Sequence, residues 1–208
     1  MLSCRNGGKG GVSGLMKGGR HNRVNSALER MLRDCCQRED GRVAVTHEPE
    51  LLHHGERVEG AEIKKTRADI AITLPNGDAV LIDTSIAKPN ATLRPLSASI
   101  DGAGAAADER VKTKMTKYNK NWKLRPGTKI IIASFEAGGR WHPGLANFVK
   151  RYIKASCGND VKTYVHKLKA TTQRVSVALR RTTSCALMEM ERRAKAYPSV
   201  LLGAAPPP

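Results

Sequence analysis

Residues 67–86 read RADIAITLPNGDAVLIDTSI, and this stretch decides the fold of the chain. Two short apolar runs flank a Pro-Asn-Gly turn, and the even positions from 68 to 74 and from 80 to 86 are apolar except for Thr84. The odd positions include Arg67, Asp69, Asp83 and Ser85. Alternation with period two is typical of half-buried strands, so we expect a hairpin with one face against a core and two carboxylates on the other.

The turn fixes how the two strands face each other. Pro75, Asn76 and Gly77 form a three-residue loop, in which Pro suits the first turn position and Gly takes the left-handed one. The register that keeps both apolar sets on one side places Asp69 opposite Asp83. Facing like charges destabilise a sheet, so this register predicts a divalent cation between the two carboxylates.

The composition indicates a polyanionic partner. The 208 residues include 36 Lys and Arg against 19 Asp and Glu, which gives a formal net charge of +17. Such an excess favours nucleic acid, and an aromatic content of 4% argues against a surface that stacks unpaired bases. We therefore expect contacts to the phosphate backbone of a nucleic-acid duplex.

The same composition bears on the location of the protein. No apolar run approaches the roughly 20 residues that a membrane span needs. The five cysteines have no zinc-site spacing, and an odd count argues against a disulfide framework, so we expect reduced thiols and an intracellular protein.

The order of the predicted elements defines the fold class. Apolar residues at helical spacing predict a first helix from His21 to about Gln37, and a short strand follows at 42–46. Residues 50–66 are polar and irregular, and the hairpin comes next. After it we expect a helix at about 103–121, a buried strand at 129–135, a helix from Pro143 and one or two helices within 161–196. This order predicts an α/β fold with a mixed sheet flanked by helices.

One folded domain with flanking segments is expected. The segments are a basic, Gly-rich disordered arm at 1–19, the α/β domain at 20–157, a helical extension at 158–197 and a Pro-rich tail at 198–208.

Asp69 and Asp83 are candidate ligands for Mg²⁺, or for Mn²⁺ in its place. Mg²⁺ is a hard cation that demands oxygen ligands in near-octahedral geometry, and two carboxylates on adjacent strands offer them on a rigid support. A third carboxylate would help. Glu48, at the end of the preceding strand, is the best placed in sequence, and Glu29 on the first helix is the alternative.

Metal-assisted phosphodiester cleavage also needs a cation that orients water and stabilises charge on the phosphate. Lys114 and Lys117 are three residues apart on the predicted helix, so they project from nearly one face and both are candidates for this role. The candidate phosphate contacts are Arg67, Arg110, Lys112 and Lys120. From spacing alone, the function stays at a basic α/β domain that binds nucleic acid.

The pattern Arg67-Ala-Asp69, Asp83-Thr-Ser-Ile86 and Lys114-Met-Thr-Lys117-Tyr118 resembles the restriction-like endonuclease domain of site-specific non-LTR retrotransposons. That domain belongs to the PD-(D/E)XK nuclease superfamily. The segment Arg20-His-Asn-Arg-Val-Asn25 is similar to the entry into its first helix, and Phe135-Glu-Ala-Gly-Gly139 to its last strand and turn. Ala68 stands where the family commonly has Pro, and the 208 residues include no reverse transcriptase, which precedes the domain in such elements.

The resemblance implies a core of order αβββαβ and a metal-dependent endonuclease that nicks DNA in the nucleus. It implies that Asp69 and Asp83 bind the metal and that the catalytic lysine has moved to the next helix, with Ser85 in its usual place. Lys114 then takes the catalytic role, Lys117 is its rival, and Tyr118 supports the helix. Two alternatives stay open: an inactive basic nucleic-acid-binding protein on the same fold, such as a ribonucleoprotein subunit, and a helical scaffold formed by residues 158–196.

Overall fold

A computed structural model describes residues 12–36, 43–61, 66–87, 104–136 and 139–196. The helices are α1 (Val12–Cys36), α2 (Ala105–Asn121), α3 (Pro143–Cys157) and α4 (Val161–Ala196), with a short 3₁₀ turn at Leu51–His53. The strands are β1 (Ala44–His47), β2 (Gly55–Arg57), β3 (Ile70–Thr73), β4 (Ala79–Ala87), β5 (Trp122–Leu124) and β6 (Thr128–Glu136). Within these ranges, no helix is long and apolar enough to cross a membrane.

The main sheet has four strands in the order β1-β3-β4-β6. β3 is antiparallel to both β1 and β4, and β6 runs parallel to β4. A parallel neighbour needs a crossover connection, and α2 lies within that connection. The predicted α/β class with a mixed sheet flanked by helices is confirmed.

The β3–β4 hairpin has the predicted loop and register. Leu74 N donates to Asp78 O at 2.8 Å, which closes the turn over residues 75–77, and Gly77 takes a φ of +85°. Val80 pairs with Ile72, and Ile82 pairs with Ile70. The two residues of each pair therefore lie on the same face, as the apolar pattern required.

One face of the sheet carries the larger core. Val24, Leu28 and Leu32 of α1 pack there against Ile70, Ile72 and Ile82. α3 contributes Leu145, Val149 and Ile153, and α4 contributes Val175, Ala178 and Leu179 to the same cluster. All three helices bury apolar positions spaced three or four residues apart, which is the spacing of one helical face.

The opposite face of the hairpin is also covered, so the expectation of half-buried strands is wrong. Ala71 and Leu81 lie on this face and pack with Tyr118 and Trp122 in a second apolar cluster. α2 and the segment around Leu51 form its cover. The odd positions contain three small or apolar residues among the polar ones, Ala71, Ala79 and Leu81, which is enough for a helix to pack there. The two carboxylates consequently lie inside the molecule.

Two other boundaries differ from expectation. Residues 12–19, expected in a disordered arm, belong to α1, while residues 1–11 and the tail at 198–208 lie outside the described residues. Residues 55–57, expected to be irregular, form β2 and pair with β5 in a separate two-stranded sheet. The helical extension agrees with the expectation of one or two helices within 161–196: it is one helix, α4, and residues 175–179 in its middle belong to the main core.

Candidate active site

Asp69 lies where the chain bends into β3. The ladder with β4 ends at the Ile70–Ile82 pair, and Ala68 N turns away to donate to Pro49 O at 3.1 Å. If the β3–β4 pairing continued beyond Ile70–Ile82, residue 68 would lie opposite Thr84. Instead, Asp69 Oδ2 accepts a hydrogen bond from Thr84 N at 2.5 Å, so a carboxylate takes the position of a backbone carbonyl.

Asp83 sits in the middle of β4 and is 1% exposed. A carboxylate removed from water in this way needs a charged partner, and Lys114 of α2 provides it. Lys114 Nζ lies 2.8 Å from Asp83 Oδ2 and donates to Thr84 O at 2.9 Å. Because of the bend at Asp69, side chains bind both backbone groups of Thr84. The Thr84 N–H donates to the Asp69 carboxylate, and the Thr84 carbonyl accepts from the Lys114 ammonium group.

The spacing of α2 matches the spacing of β4. Arg110, Lys114 and Tyr118 are four residues apart, so each lies about 6 Å further along the helix than the last. Alternate residues on a strand are about 6.6 Å apart, and Asp83 and Ser85 are two such residues. Lys114 accordingly meets Asp83, while Arg110 Nε donates to Ser85 Oγ at 2.9 Å.

Tyr118 lies beneath the two carboxylates. It is buried, and its hydroxyl makes no hydrogen bond of standard geometry among the described residues. Burial, followed by the charge and hydrogen-bond acceptance of Asp83 and then the charge of Asp69, raises its pKa far above the ordinary value. Both carboxylates therefore oppose the ionisation of the Tyr118 hydroxyl, Asp83 more strongly than Asp69.

The two candidates for a third acid lie elsewhere. Glu48 is joined to Asp69 through the backbone, since Glu48 N donates to Asp69 O at 2.9 Å, but its exposed side chain lies 3.8 Å from Arg67 and 3.9 Å from His47. Its φ of +45° is uncommon for a residue with a side chain. Glu29 pairs with Arg33 at 2.8 Å and with His47 at 3.1 Å. Neither carboxylate is brought to the Asp69–Asp83 pair.

The lysine and arginine side chains predicted to act in catalysis or phosphate binding fall into two groups. Lys114 and Arg110 reach into the site, as described above. Lys112, Lys117 and Lys120 are exposed on α2, and Lys117 has no hydrogen bond or ion pair with any residue of the described ranges. Arg67 is exposed and is held by Glu50 at 3.3 Å and by Glu48.

Sequence reasoning assigned no site role to two residues near Asp69, although both lie in the segment 20–25 that carries part of the resemblance. His21 Nε2 lies 3.3 Å from Asp69 Oδ1 and 3.1 Å from the side-chain amide nitrogen of Asn25. Both residues belong to α1 and are four apart, so they share a face. The available signal was Asn25 itself, a polar residue between Val24 and Leu28 in the apolar stripe that predicted the helix.

The oxygen atoms around Thr84 are of the type that binds a divalent cation, but they are few. Two carboxylates and a backbone carbonyl are the hard oxygen ligands that Mg²⁺ and Mn²⁺ take. Among the described residues, however, no group of three or more His, Cys, Asp or Glu side chains is arranged to hold a metal ion. Asp69 and Asp83 would therefore need other ligands, such as backbone oxygen, water or a substrate phosphate.

Comparison with known proteins adds no further constraint. No protein-family model matches the chain, and no curated protein matches it significantly.

Proposed function

We propose that the chain is a metal-dependent DNA endonuclease with an active site of the PD-(D/E)XK type, built on Asp69, Asp83 and Lys114. The observation that carries the proposal is the convergence of Asp69 and Lys114 on the backbone of Thr84, beside Asp83. Two carboxylates and an ammonium group on rigid elements are what metal-assisted phosphodiester hydrolysis needs. The order of helix, three strands, helix and strand in the main sheet is also the order that the resemblance implies.

The side chains have separable roles in this proposal. Asp69 and Asp83 would hold Mg²⁺ or Mn²⁺, which when bound polarises the phosphate and makes a coordinated water more acidic. Lys114 keeps a positive charge beside Asp83, where it stabilises the negative charge that develops on the phosphate. Arg110 uses Nε on Ser85, and its other N–H groups are donors for a second phosphate oxygen. Tyr118 keeps water away from the buried side of Asp83.

The outer face of α2 is the proposed contact with double-stranded DNA. Lys112, Lys117 and Lys120 are exposed there, on the helix that also carries Lys114. Each phosphate neutralised by such a lysine releases counterions, so binding weakens steeply as salt rises. A nuclear location, where such a substrate would be met, is part of the same proposal.

A plasmid nicking assay tests the proposed activity. We expect the wild-type protein to convert supercoiled plasmid to the open circle in Mg²⁺ or Mn²⁺. Asp83→Asn should abolish this conversion while duplex binding is retained, and Asp69→Asn should do the same. Asp34→Asn is the matched control, because Asp34 is exposed on α1 and pairs with Arg174 at 3.0 Å, away from the site. Circular dichroism of each variant establishes that it is folded.

An inactive nucleic-acid-binding protein on the same fold is the second candidate. The observation that favours it is the Lys114–Asp83 contact itself, because the ammonium group neutralises the buried carboxylate without any metal. A wild-type protein that binds duplex DNA and leaves it intact in both metals would establish this candidate and refute the nuclease.

A further inference from the structure

Positive charge is concentrated in residues 139–181, which include α3 and the first part of α4. These 43 residues contain ten Lys and Arg but a single carboxylate side chain, Asp160. Their net charge of +9 is more than half of the +17 of the whole chain, whereas the other 165 residues have 26 cationic and 18 acidic side chains. The Asp160 carboxylate lies at the start of α4, where it accepts from Thr163 N at 3.0 Å and from Thr163 Oγ1 at 2.6 Å.

α4 carries part of this charge along one straight stripe. The α4 stripe consists of five exposed polar positions, spaced four, three, four and seven residues apart: Lys162, His166, Lys169, Gln173 and Arg180. Positions at such intervals share one face of a helix. The opposite face of α4, with Leu168, Val175 and Leu179, packs in the main core with α1 and α3. The stripe is about 27 Å long and points away from the sheet.

α3 adds three cations to the same region. Lys150, Arg151 and Lys154 are exposed, while the core side of α3 is formed by the apolar positions 145, 149 and 153. Among the described residues, neither these three side chains nor the cations of the α4 stripe form an ion pair. α3 contains no acidic residue, and like charges four residues apart slightly destabilise a helix. Helix stability therefore gives no reason for this arrangement.

The chemistry of the two outer faces fits the phosphates of a duplex. Bases of a single strand stack on exposed aromatic rings, but the aromatic residues of α3 and α4, Phe148, Tyr152 and Tyr164, pack against the core. A helix that binds a membrane surface needs an apolar face that is free to enter the bilayer, and α4 uses its apolar face in the core. Exposed lysine and arginine side chains contact the phosphates of a nucleic-acid backbone directly.

The outer faces of α3 and α4 lie across the molecule from the exposed lysines of α2. α2 covers one face of the sheet, whereas α1 and α3 cover the other face and α4 packs on both of these helices. A single duplex would have to turn back on itself to contact both surfaces, and DNA with a persistence length of about 50 nm resists so sharp a turn. Simultaneous use of the two surfaces therefore requires two separate segments of duplex.

We propose that the outer faces of α3 and α4 bind a second segment of double-stranded DNA, so that one chain bridges two duplexes. The choice of DNA as the duplex rests on the proposed function, whereas the charge and geometry of the surface do not. The proposal adds a contact that cleavage of a single duplex does not need.

Sedimentation velocity of the full chain with an excess of a short DNA duplex tests the proposal. EDTA prevents cleavage, and we expect two duplexes per chain for the wild type. The triple variant Lys162→Gln, Lys169→Gln and Arg180→Gln should bind one duplex, and it should stay folded because glutamine is a good helix former at exposed positions. The matched control removes three charges at exposed positions of β5, β6 and the turn between them, and it should still bind two: Lys123→Gln, Arg125→Gln and Lys129→Gln.

Capture of a labelled duplex by a duplex fixed to beads gives a second readout. The wild type and the control should capture it, whereas the α4 variant should not, although its Mg²⁺-dependent nicking of plasmid should be retained. Equal capture by the wild type and the α4 variant, or an equal loss in the control, would overturn the surface. Stronger competition by duplex RNA or by anionic vesicles than by duplex DNA would overturn the choice of ligand.

The two readouts also separate this surface from the nuclease. Capture by a wild-type protein that never nicks plasmid would refute the nuclease and leave the second DNA surface standing. Nicking by a wild-type protein that captures no second duplex would overturn the surface and leave the nuclease intact.

Discussion

Lys114 Nζ and Asp83 Oδ2 are 2.8 Å apart although 31 residues separate them in the chain. The Asp83 side chain is 1% exposed and the Lys114 side chain 18%, so this is a contact of the interior. It fixes α2 against the centre of β4 and sets the charge balance of the candidate active site.

Substitution of Lys114 alone should therefore lower the free energy of unfolding markedly. Lys114→Met leaves the Asp83 carboxylate buried and uncompensated, and we expect a loss of about 3 kcal/mol in the free energy of unfolding. Lys150→Met, at an exposed position of α3, should stay within about 0.5 kcal/mol of wild type. The double variant Lys114→Met with Asp83→Leu should lose less than Lys114→Met alone, because no charge is left inside. Urea unfolding measures all three, and a single variant as stable as its control would show that the pair is not buried in solution.

Substitutions of the two candidate lysines of α2 should have different effects, one on DNA cleavage and the other on duplex binding. Lys114→Gln should remove Mg²⁺-dependent nicking with little effect on duplex affinity, because its amine faces Asp83 and Thr84. Lys117→Gln should weaken duplex binding and reduce the slope of affinity against salt by about one phosphate contact, with cleavage at saturating protein retained. Fluorescence anisotropy over a salt series and the plasmid assay give the two readouts. The opposite assignment would identify Lys117 as the catalytic lysine.

Tyr118 should make the fold sensitive to alkali. Its pKa is raised in the folded state above the ordinary value of 10.0, chiefly by burial. The folded protein therefore holds the proton where the unfolded chain has released it. The stabilisation is fully present below about pH 10 and is lost as the pH rises through the folded pKa. Tyr118→Phe should unfold less readily than wild type above pH 10, and ultraviolet titration of wild type should show one tyrosine that ionises only on unfolding. Identical alkaline unfolding of both proteins would refute this origin.

The middle of α4 should contribute as much stability as any core element. Leu179 is 1% exposed and packs in the main cluster, so Leu179→Ala should cost about 2–5 kcal/mol. Val177, two residues earlier on the same helix, is 45% exposed, and Val177→Ala should cost much less. Thermal unfolding compares the two. Similar small losses would mean that α4 is a peripheral extension of the domain after all.

The hairpin was predictable because its information is local. The turn residues at 75–77 and the even apolar positions determine the register, and the observed Ile70–Ile82 pairing agrees with them. The burial of the odd face was not predictable in this way. It depends on α2, which begins 18 residues after β4 ends, and on the coincidence of helix and strand spacing that brings Lys114 over Asp83.

The candidate site was predictable in its residue types and less so in its arrangement. Asp69 and Asp83 stand out as carboxylates in apolar runs, and Lys114 follows from the resemblance. The bend at Asp69 has no such mark, because it arises where Ala68 pairs with Pro49 instead of continuing the ladder. That bend orients Asp69 towards both Thr84 and His21, so the partners of this carboxylate emerge only with the tertiary structure.

The packing of α1 against α4 sets the order in which the chain can acquire its native structure. Asp34 and Arg174, which pair across these helices, are 140 residues apart, whereas the β3–β4 hairpin closes over three residues. Loop closure makes such distant contacts slow to form. During synthesis, the side of α1 that packs against α4 stays uncovered until residues 175–179 have left the ribosome, although every residue of the sheet and of the site around Thr84 has been synthesised before them. Before α4 has been synthesised, the nascent chain therefore contains all the candidate catalytic residues but lacks part of its hydrophobic core.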